Sequence, residues 1–378
     1  MRSDPEMSAQ LKHQWSIGHN YLTGITFGRW CKLLAQNGFQ VSPAYLHRAA
    51  AITLASLSNS VCAGVEELRY GAAIRQAPRP KAPLFILGHW RSGTTLLHEL
   101  LAQDRAQFQF PNTYQVVNPY TFLTTEGFTT RMFPWLVPPK RPMDNMALAF
   151  TSPQEDEFAP LLMTLTSLYL GTSFPRRMDH YDRYMTFQDA DPQDVAAWQS
   201  AFVTFCKKLS LHDTRHLLIK SPPHTARIRL ILEMFPDARF IHIHRDPYRV
   251  FQSQRHFFDT AGWYTYLQKP DLGAIDDGIL RRHEAMYDAY YADLPLVPKG
   301  QIHELRFDAL EADPFGEIAK AYDALSLDGF AEFSLVLRDY VATLKGYKKN
   351  SFGELDAPTK AIVADRWARS FERGGYAK

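Results

Sequence analysis

The chain has 378 residues and a net charge of +2, with 46% hydrophobic and 22% charged residues, which is typical of a globular protein with a sizeable core. This small net charge gives no strong field that would favour nucleic acid or an anionic membrane as a partner. The three cysteines, Cys31, Cys62 and Cys206, are scattered, which argues against a zinc site and predicts free, buried thiols. The polar N-terminus argues against a signal peptide, and the lack of a long apolar run argues against a membrane span. We therefore expect a cytoplasmic protein.

Residues 1–80 precede the first predicted strand and have the pattern of helices. Aromatic and apolar residues recur between positions 15 and 34, and Ser42-Pro43 is typical of a helix start. We predict an N-terminal helical extension, residues 1–80, packed on an α/β domain formed by residues 81–378. A lid or membrane-surface element beside an apolar acceptor pocket is the alternative interpretation of the extension.

A short apolar run at residues 84–87 is followed by the segment GHWRSG and then by a leucine-rich stretch. The leucines of that stretch fall on one side of a helix. A strand that enters a helix through such a turn points backbone N–H groups and the positive end of the helix dipole at one place. The pattern predicts an anion site, for which a phosphate is the natural ligand.

Residues 106–153 are rich in aromatic residues and proline, which makes them too irregular for long helices and too apolar for disorder. Two interpretations are open at this point. The segment is either a wall of the substrate pocket or an irregular excursion packed on the core.

Ser152, Pro153 and Glu155 have the spacing of a capping box, which predicts a helix from Pro153 onwards. In such a helix Glu155 and Glu157 border the apolar face and Asp156 points away from it. An acid beside a buried face is a candidate general base, whereas the alternative is a solvated first turn that complements the helix dipole.

Three further strands are predicted, at residues 216–220, 239–244 and 302–307. Because strands alternate with helices, we predict right-handed crossovers and a parallel sheet that binds ligands at the carboxyl ends of its strands. Lys220 and Arg245 stand at two of those ends, and Arg91 stands near a third. Three cations facing one crevice indicate an anion site more strongly than any one of them alone.

Residues 90–95, WRSGTT, resemble the phosphosulfate loop of sulfotransferases that use 3′-phosphoadenosine 5′-phosphosulfate (PAPS). Arg245-Asp246-Pro247, with Ser253 eight residues after the arginine, is similar to the 3′-phosphate site of that family. The resemblance covers roughly residues 81–353, and it is specific because both motifs occur in order at a suitable separation. It implies a three-layer α/β fold, like that of P-loop proteins, with a parallel sheet flanked by helices.

The resemblance implies transfer of a sulfuryl group from PAPS to a hydroxyl or amine, with Arg91 and Lys220 as catalytic cations that neutralise developing charge. No metal is expected, because a sulfuryl group carries less charge than a phosphoryl group. Lys348 is a candidate in a basic segment near the C-terminus, although a solvated lysine pair is the alternative there. The implied donor-binding residues are Arg91, Ser92, Gly93, Thr94, Thr95, Arg245, Ser253 and Lys348.

Two other classes of protein share parts of this pattern. A P-loop kinase would share the spacing of Gly88 and Gly93, but Thr94 occupies the position of its lysine, and no strand ends in a clear aspartate for magnesium. The other class is a non-catalytic nucleotide-binding or membrane-surface protein, and the presence of Arg91, Lys220, Arg245 and Ser253 together argues against it.

The resemblance does not fix the general base. Cytosolic sulfotransferases carry a histidine two residues after the lysine that matches Lys220, and Pro222 occupies that position here. Members that modify protein tyrosines use a glutamate from an earlier segment, which favours Glu155 and, after it, Glu157. Three histidines are further candidates: His98, His224 and His256.

The acceptor is expected to be a small molecule. Aromatic-rich segments favour a lipophilic alcohol, such as a sterol or another lipid, over a large polar glycan. A peripheral membrane contact would accompany such an acceptor, and the sequence makes no prediction of the oligomeric state.

Overall fold

A parallel β-sheet organises the structure, a computed structural model that describes residues 11–18, 20–137, 140, 146–344 and 352–378. The described residues contain five strands, which pair in parallel in the order β2-β3-β1-β4-β5. The strands are β1 (Leu84–Leu87), β2 (Phe108–Gln109), β3 (His216–Lys220), β4 (Arg239–His244) and β5 (Ile302–Arg306). The predicted α/β class with a parallel sheet is confirmed, and β2 was missed because two residues carry too little pattern.

Helices cover both faces of this sheet, and two α-helices among the described residues come before β1 in the chain. The helices before β3 are α1 (Phe27–Gln36), α2 (Leu46–Gln76), α3 (Thr94–Leu101), α4 (Thr113–Val117), α5 (Phe122–Met132), α6 (Phe158–Thr164), α7 (Leu170–Ser173), α8 (Met178–Asp182) and α9 (Pro192–Leu209). The later helices are α10 (Ile228–Met234), α11 (Pro247–Thr260), α12 (Ile275–Asp293), α13 (Phe307–Ala312), α14 (Pro314–Ala324), α15 (Phe330–Thr343), α16 (Ala357–Arg366) and α17 (Ala368–Gly374).

The order of the strands brings the predicted cations together. The four residues of β1 are buried, and β1 lies between β3 and β4. Ile86 is in register with Lys220, and Leu87 with His242. Because parallel strands end at the same edge of a sheet, the loop after β1, Lys220 and Arg245 all meet at one crevice.

The helix predicted from Pro153 begins five residues later, at Phe158. Pro153 forms an isolated antiparallel bridge with Asn112, and the N–H of Gln154 donates to the carbonyl of Pro111 at 3.0 Å. These backbone contacts hold the segment extended, so the capping-box pattern does not start a helix. Tertiary pairing overrides the local signal here.

The aromatic segment at residues 106–153 divides into a packed part and an exposed part. Phe108, Tyr114 and Phe122 are buried, as expected for an excursion packed on the core. Phe128 and Trp135, by contrast, expose 64% and 70% of their surface. The described part of the segment therefore contains two short helices, α4 and α5, and an apolar surface formed by the end of α5 and the turn that follows it.

Most of the described residues between 20 and 76 are helical, as predicted for this part of the chain. The long helix α2 packs against α1, α5 and α9, and a buried ion pair joins Glu66 of α2 to Lys208 of α9. None of the helices in the described ranges combines the length and the apolarity that crossing a membrane requires.

All three cysteines are free thiols, but their environments differ. Cys206 is buried, Cys62 is half-buried and Cys31 is exposed. The prediction of buried thiols is therefore wrong for Cys31, because its position on α1 faces away from the packed side of that helix.

Candidate active site

Two glycines allow the backbone of the loop between β1 and α3 to pass close to its neighbours. Gly88 has φ of 147° and Gly93 has φ of 104°, both in the region that side chains rarely adopt. A Cβ atom at Gly88 would overlap the carbonyl of Ile243, and one at Gly93 would overlap the ring of Phe307. Arg91 also lies in the left-handed region, with φ of 70°, so the loop is strained at the residue that carries its cation.

Hydrogen bonds within this loop set its shape. The N–H and the hydroxyl of Ser92 both donate to the carbonyl of His89, at 3.1 and 2.7 Å. The N–H of Gly88 donates to Thr225 Oγ1 at 2.8 Å. Ser92 thus closes the loop. Helix α3 begins directly after it, at Thr94, and the backbone N–H groups of its first turn point out of the helix towards the loop.

A group that we call the donor-side cluster consists of Arg91, Arg245 and Ser253. Arg91 Nε donates to Ser253 Oγ at 2.8 Å, and the Arg245 guanidinium donates to the carbonyl of Arg91 at 3.3 Å. The same guanidinium lies over the ring of Phe307, 4.3 Å from its centroid, and burial lowers the pKa of Arg245. Residues that are 154 and 162 positions away along the chain are thereby gathered around Arg91.

Helix α11 places Ser253 in this cluster. Its first turn follows the predicted pattern, with Asp246 as the N-cap that accepts from the N–H of Arg249 and Pro247 at the first helical position. Ser253 is only 2% exposed, so its hydroxyl is fixed beside the loop. The local sequence therefore determines both the start of the helix and the position of this hydroxyl.

A second group, which we call the acceptor-side network, joins Trp90, Tyr169, Glu155 and Lys220. Trp90 Nε1 donates to the Tyr169 hydroxyl at 2.7 Å, and that hydroxyl donates to Glu155 Oε2 at 2.6 Å. Lys220 Nζ donates to Glu155 Oε1 at 3.0 Å. Because Trp90 and Arg91 are consecutive, the network and the donor-side cluster are neighbours.

Burial determines the protonation state of Tyr169. It raises the pKa of the phenol well above its ordinary value, and the negative charge of Glu155 raises it further. The hydroxyl therefore stays protonated and acts as a donor to Glu155. The carboxylate of Glu155 is held from two sides, by this hydroxyl and by the buried ammonium group of Lys220.

The acidic residues that follow Glu155 have structural contacts. Glu157 is fully buried and receives two hydrogen bonds from the guanidinium of Arg227, at 2.6 and 3.0 Å. Asp156 is also fully buried, where it accepts from Ser221 at 2.8 Å and pairs with His224 at 2.6 Å. The prediction that Asp156 points away from the core is wrong, because no helix is formed at that position.

The remaining candidate histidines lie elsewhere in the fold. His98 is buried in α3 against Phe110, with ring centroids 5.9 Å apart, and burial lowers its pKa well below the ordinary value. His256 lies in α11 with its ring 5.6 Å from that of Phe352. Glu155 is the base candidate that accepts a hydrogen bond from Lys220, whereas His98 senses the positive charge of that lysine.

Lys348, predicted at the donor site, lies outside the described residues. Phe352 and Gly353, the first described residues after it, are held on α11, where Arg249 donates to the carbonyl of Phe352 at 3.5 Å and Gln252 donates to that of Gly353. The described residues that flank Lys348 on its C-terminal side thus lie within one turn of Ser253.

Sequence reasoning did not assign a role to Tyr169 or Trp90. In a continuous helix from Pro153, Tyr169 would lie on the apolar face, but α6 ends at Thr164, and Leu165 takes a left-handed conformation with φ of 68°. This break redirects the chain, so that Tyr169 reaches a carboxylate fourteen residues earlier. No spacing rule links these two residues, and only the tertiary structure shows their contact.

The site combines an anion-binding loop after one strand of a parallel sheet, cations at the ends of the neighbouring strands and a carboxylate beside them. This combination defines a group-transfer enzyme of the α/β class. Residues 83–332 match the sequence profile described as the sulfotransferase family. The chain belongs to this family, and its fold class, its assignment as an enzyme and PAPS as its sulfate donor are as predicted.

Curated relatives and solved structures agree with this family. The chain is 35% identical over 354 residues to the omega-hydroxy-beta-dihydromenaquinone-9 sulfotransferase Stf3 of Mycobacterium bovis, a match that covers 93% of this chain and 90% of the relative. In fold it is similar to sulfotransferase STF9 from Mycobacterium avium, with a TM-score of 0.68, 16% identity and coverage of 92% of each chain. It is also similar to STF1 from Mycobacterium tuberculosis H37Rv, with a TM-score of 0.63, 17% identity and coverage of 94% of each chain.

Proposed function

We propose that this sulfotransferase acts in the cytoplasm on a hydroxyl group of a lipophilic small molecule, with Glu155 as the general base. The observation that carries this proposal is the position of Glu155, which is hydrogen-bonded to Lys220 and Tyr169 directly beside the loop that contains Arg91. A relative that shares 35% of its residues is named for a hydroxylated menaquinone, which supports a lipophilic acceptor.

The donor-side cluster fits a ligand with two anionic ends. PAPS supplies the sulfuryl group and carries a separate 3′-phosphate. Arg91 and the backbone N–H groups of Gly93, Thr94 and Thr95 would hold the phosphosulfate end. The two glycines allow this loop to pack closely against Ile243 and Phe307. Arg245 and Ser253 would hold the 3′-phosphate through charge-assisted hydrogen bonds.

The acceptor-side network fits the removal of a proton from an alcohol. A carboxylate has about four lone-pair sites, so Glu155 can keep its bonds to Lys220 and Tyr169 and still accept a hydrogen bond from the acceptor. Glu155 would take the proton at a carboxylate oxygen, while Tyr169 and Trp90 keep that oxygen in place. Lys220 and Arg91 would stabilise the negative charge that develops during transfer.

The test is transfer of radiolabelled sulfate from PAPS to long-chain primary alcohols, sterols and lipid extracts. Wild type should label an apolar product, and Arg91→Ala should lower the rate about 1,000-fold, because a cation aimed at developing charge is lost. Arg369→Ala is the matched control, since Arg369 pairs with Asp288 on the surface of the protein. Sulfation of polar glycans alone, or phosphoryl transfer from ATP without any sulfate transfer from PAPS, would overturn the proposal.

A further inference from the structure

A cluster of large apolar side chains faces solvent at the end of α5 and in the 3₁₀ turn Pro134–Leu136 that follows. We call it the aromatic patch, and it consists of Phe128, Met132, Phe133, Trp135 and Leu136. Four of these residues are 50–70% exposed. The ring of Phe133 contacts both Phe128, at 5.9 Å between centroids, and Trp135, at 5.3 Å, so the patch is continuous. Exposed apolar clusters of this kind mark interaction sites.

The aromatic patch belongs to the acceptor side of the molecule. Glu126 of α5 accepts a hydrogen bond from Asn112 at 2.6 Å, and Asn112 pairs with Pro153, two residues before Glu155. Phe133 follows Glu126 by seven residues, which is about 10 Å along a helix. Two layers of direct contact therefore connect the patch to the segment that carries the proposed base.

The charges around the aromatic patch favour an anionic partner. Among the described residues from 127 to 149, the charged side chains are Arg131 and Lys140, and both are exposed. Exposed aromatic side chains with basic neighbours are the composition of a surface that enters the headgroup region of an anionic bilayer.

Another exposed apolar surface, on α2, has a different character. It is a stripe of aliphatic residues at helical spacing, formed by Leu54, Leu57, Val61, Val65 and Leu68. It lacks aromatic residues and faces away from α5, which packs on the side of α2 that carries Glu66. This stripe provides an internal control for apolar exposure in general.

We propose that the aromatic patch docks on the anionic lipid bilayer in which the acceptor is dissolved. This inference rests on the proposed function, since a lipophilic acceptor partitions into membranes and must be taken from them. Phe128, Trp135 and Leu136 enter the headgroup region, Arg131 and Lys140 contact lipid phosphates, and α5 places the acceptor-side network next to the membrane surface.

The test is co-sedimentation of the full chain with vesicles of phosphatidylglycerol and phosphatidylcholine in equal amounts, and with vesicles of phosphatidylcholine alone. The double variant Phe128→Ser/Trp135→Ser should lower the partition coefficient on anionic vesicles about 10-fold or more, because two large apolar side chains no longer enter the bilayer. The matched control Leu54→Ser/Leu57→Ser should bind within about twofold of wild type. Arg131→Gln should weaken binding to the anionic vesicles only.

Several outcomes would overturn the proposal: no binding by wild type, wild-type binding by the double variant, or an equal loss in the α2 control. Trp135→Ser alone, at a residue that is 70% exposed, repeats the test with little risk to folding. Sulfation of a short, water-soluble alcohol without vesicles separates the two proposals, because the patch variants should retain the wild-type rate. If neither wild type nor the variants sulfate any alcohol, the proposed function fails. The sedimentation experiment still decides whether the aromatic patch binds vesicles, because it does not depend on activity.

Discussion

The donor-side cluster and the acceptor-side network meet at consecutive residues of one loop, but the chain builds them in different ways. Arg91, Arg245 and Ser253 lie on a loop or a helix that directly follows a strand, so the topology of the sheet delivers them to one edge. The network instead joins a loop, an extended segment, a residue between two short helices and a strand end. The anion site is thus encoded locally, whereas the acceptor site depends on tertiary contacts.

Glu155→Gln should separate the two regions most strongly. We expect turnover to fall about 100-fold or more, because the amide cannot take the proton, while affinity for adenosine 3′,5′-bisphosphate is unchanged. Steady-state kinetics and calorimetric titration measure the two quantities. Glu284→Gln, which changes a carboxylate paired with Arg366 on another helix, is the control. Unchanged turnover in Glu155→Gln would remove this residue from the mechanism.

Tyr169→Phe should have a smaller effect confined to the same region. The variant loses the 2.6 Å bond to Glu155 but keeps the ring, so we expect kcat to fall about 10-fold with an unchanged KM for PAPS. Tyr114→Phe is the matched control, since that tyrosine is also buried and donates to Thr125. A merely structural role would change the melting temperature and both kinetic constants together, and that result would count against a positioning role for Tyr169.

Ser253→Ala should have the smallest effect, on the donor side. Loss of the hydroxyl that accepts from Arg91 should weaken binding of adenosine 3′,5′-bisphosphate about fivefold and leave kcat at saturating PAPS near the wild-type value. Thr260→Ala, which removes a hydroxyl that bonds within the same helix, is the control. A lower kcat with unchanged affinity would contradict the assignment of Ser253 to donor binding.

The sequence was sufficient where function follows from local backbone geometry. The apolar run of β1, the glycines that bound its loop and the Asp246-Pro247 helix start each specify a conformation that few other residues allow. Alternation of strands and helices then placed three cations at one edge of the sheet. The parallel fold and the spatial meeting of Arg91 with Arg245 and Ser253 could be predicted for this reason.

The sequence was insufficient where distant contacts override local preferences. The capping-box pattern at Ser152 predicted a helix, but pairing of Pro153 with Asn112 keeps the segment extended and turns Asp156 into the core. The role of Tyr169 depends on the left-handed turn at Leu165, which no sequence rule indicates. Both differences arise in the region that we propose contacts the acceptor.

The most direct test of the division between the two regions is whether a high concentration of PAPS restores the turnover of a variant in each region. Sulfate transfer from PAPS to a long-chain alcohol should be measured for Arg245→Ala and Glu155→Gln over a wide range of PAPS concentrations. We predict that Arg245→Ala approaches wild-type turnover at saturating PAPS, whereas Glu155→Gln stays about 100-fold slower at every concentration. Recovery of both variants, or of Glu155→Gln alone, would contradict the assignment of donor binding to one region and proton transfer to the other.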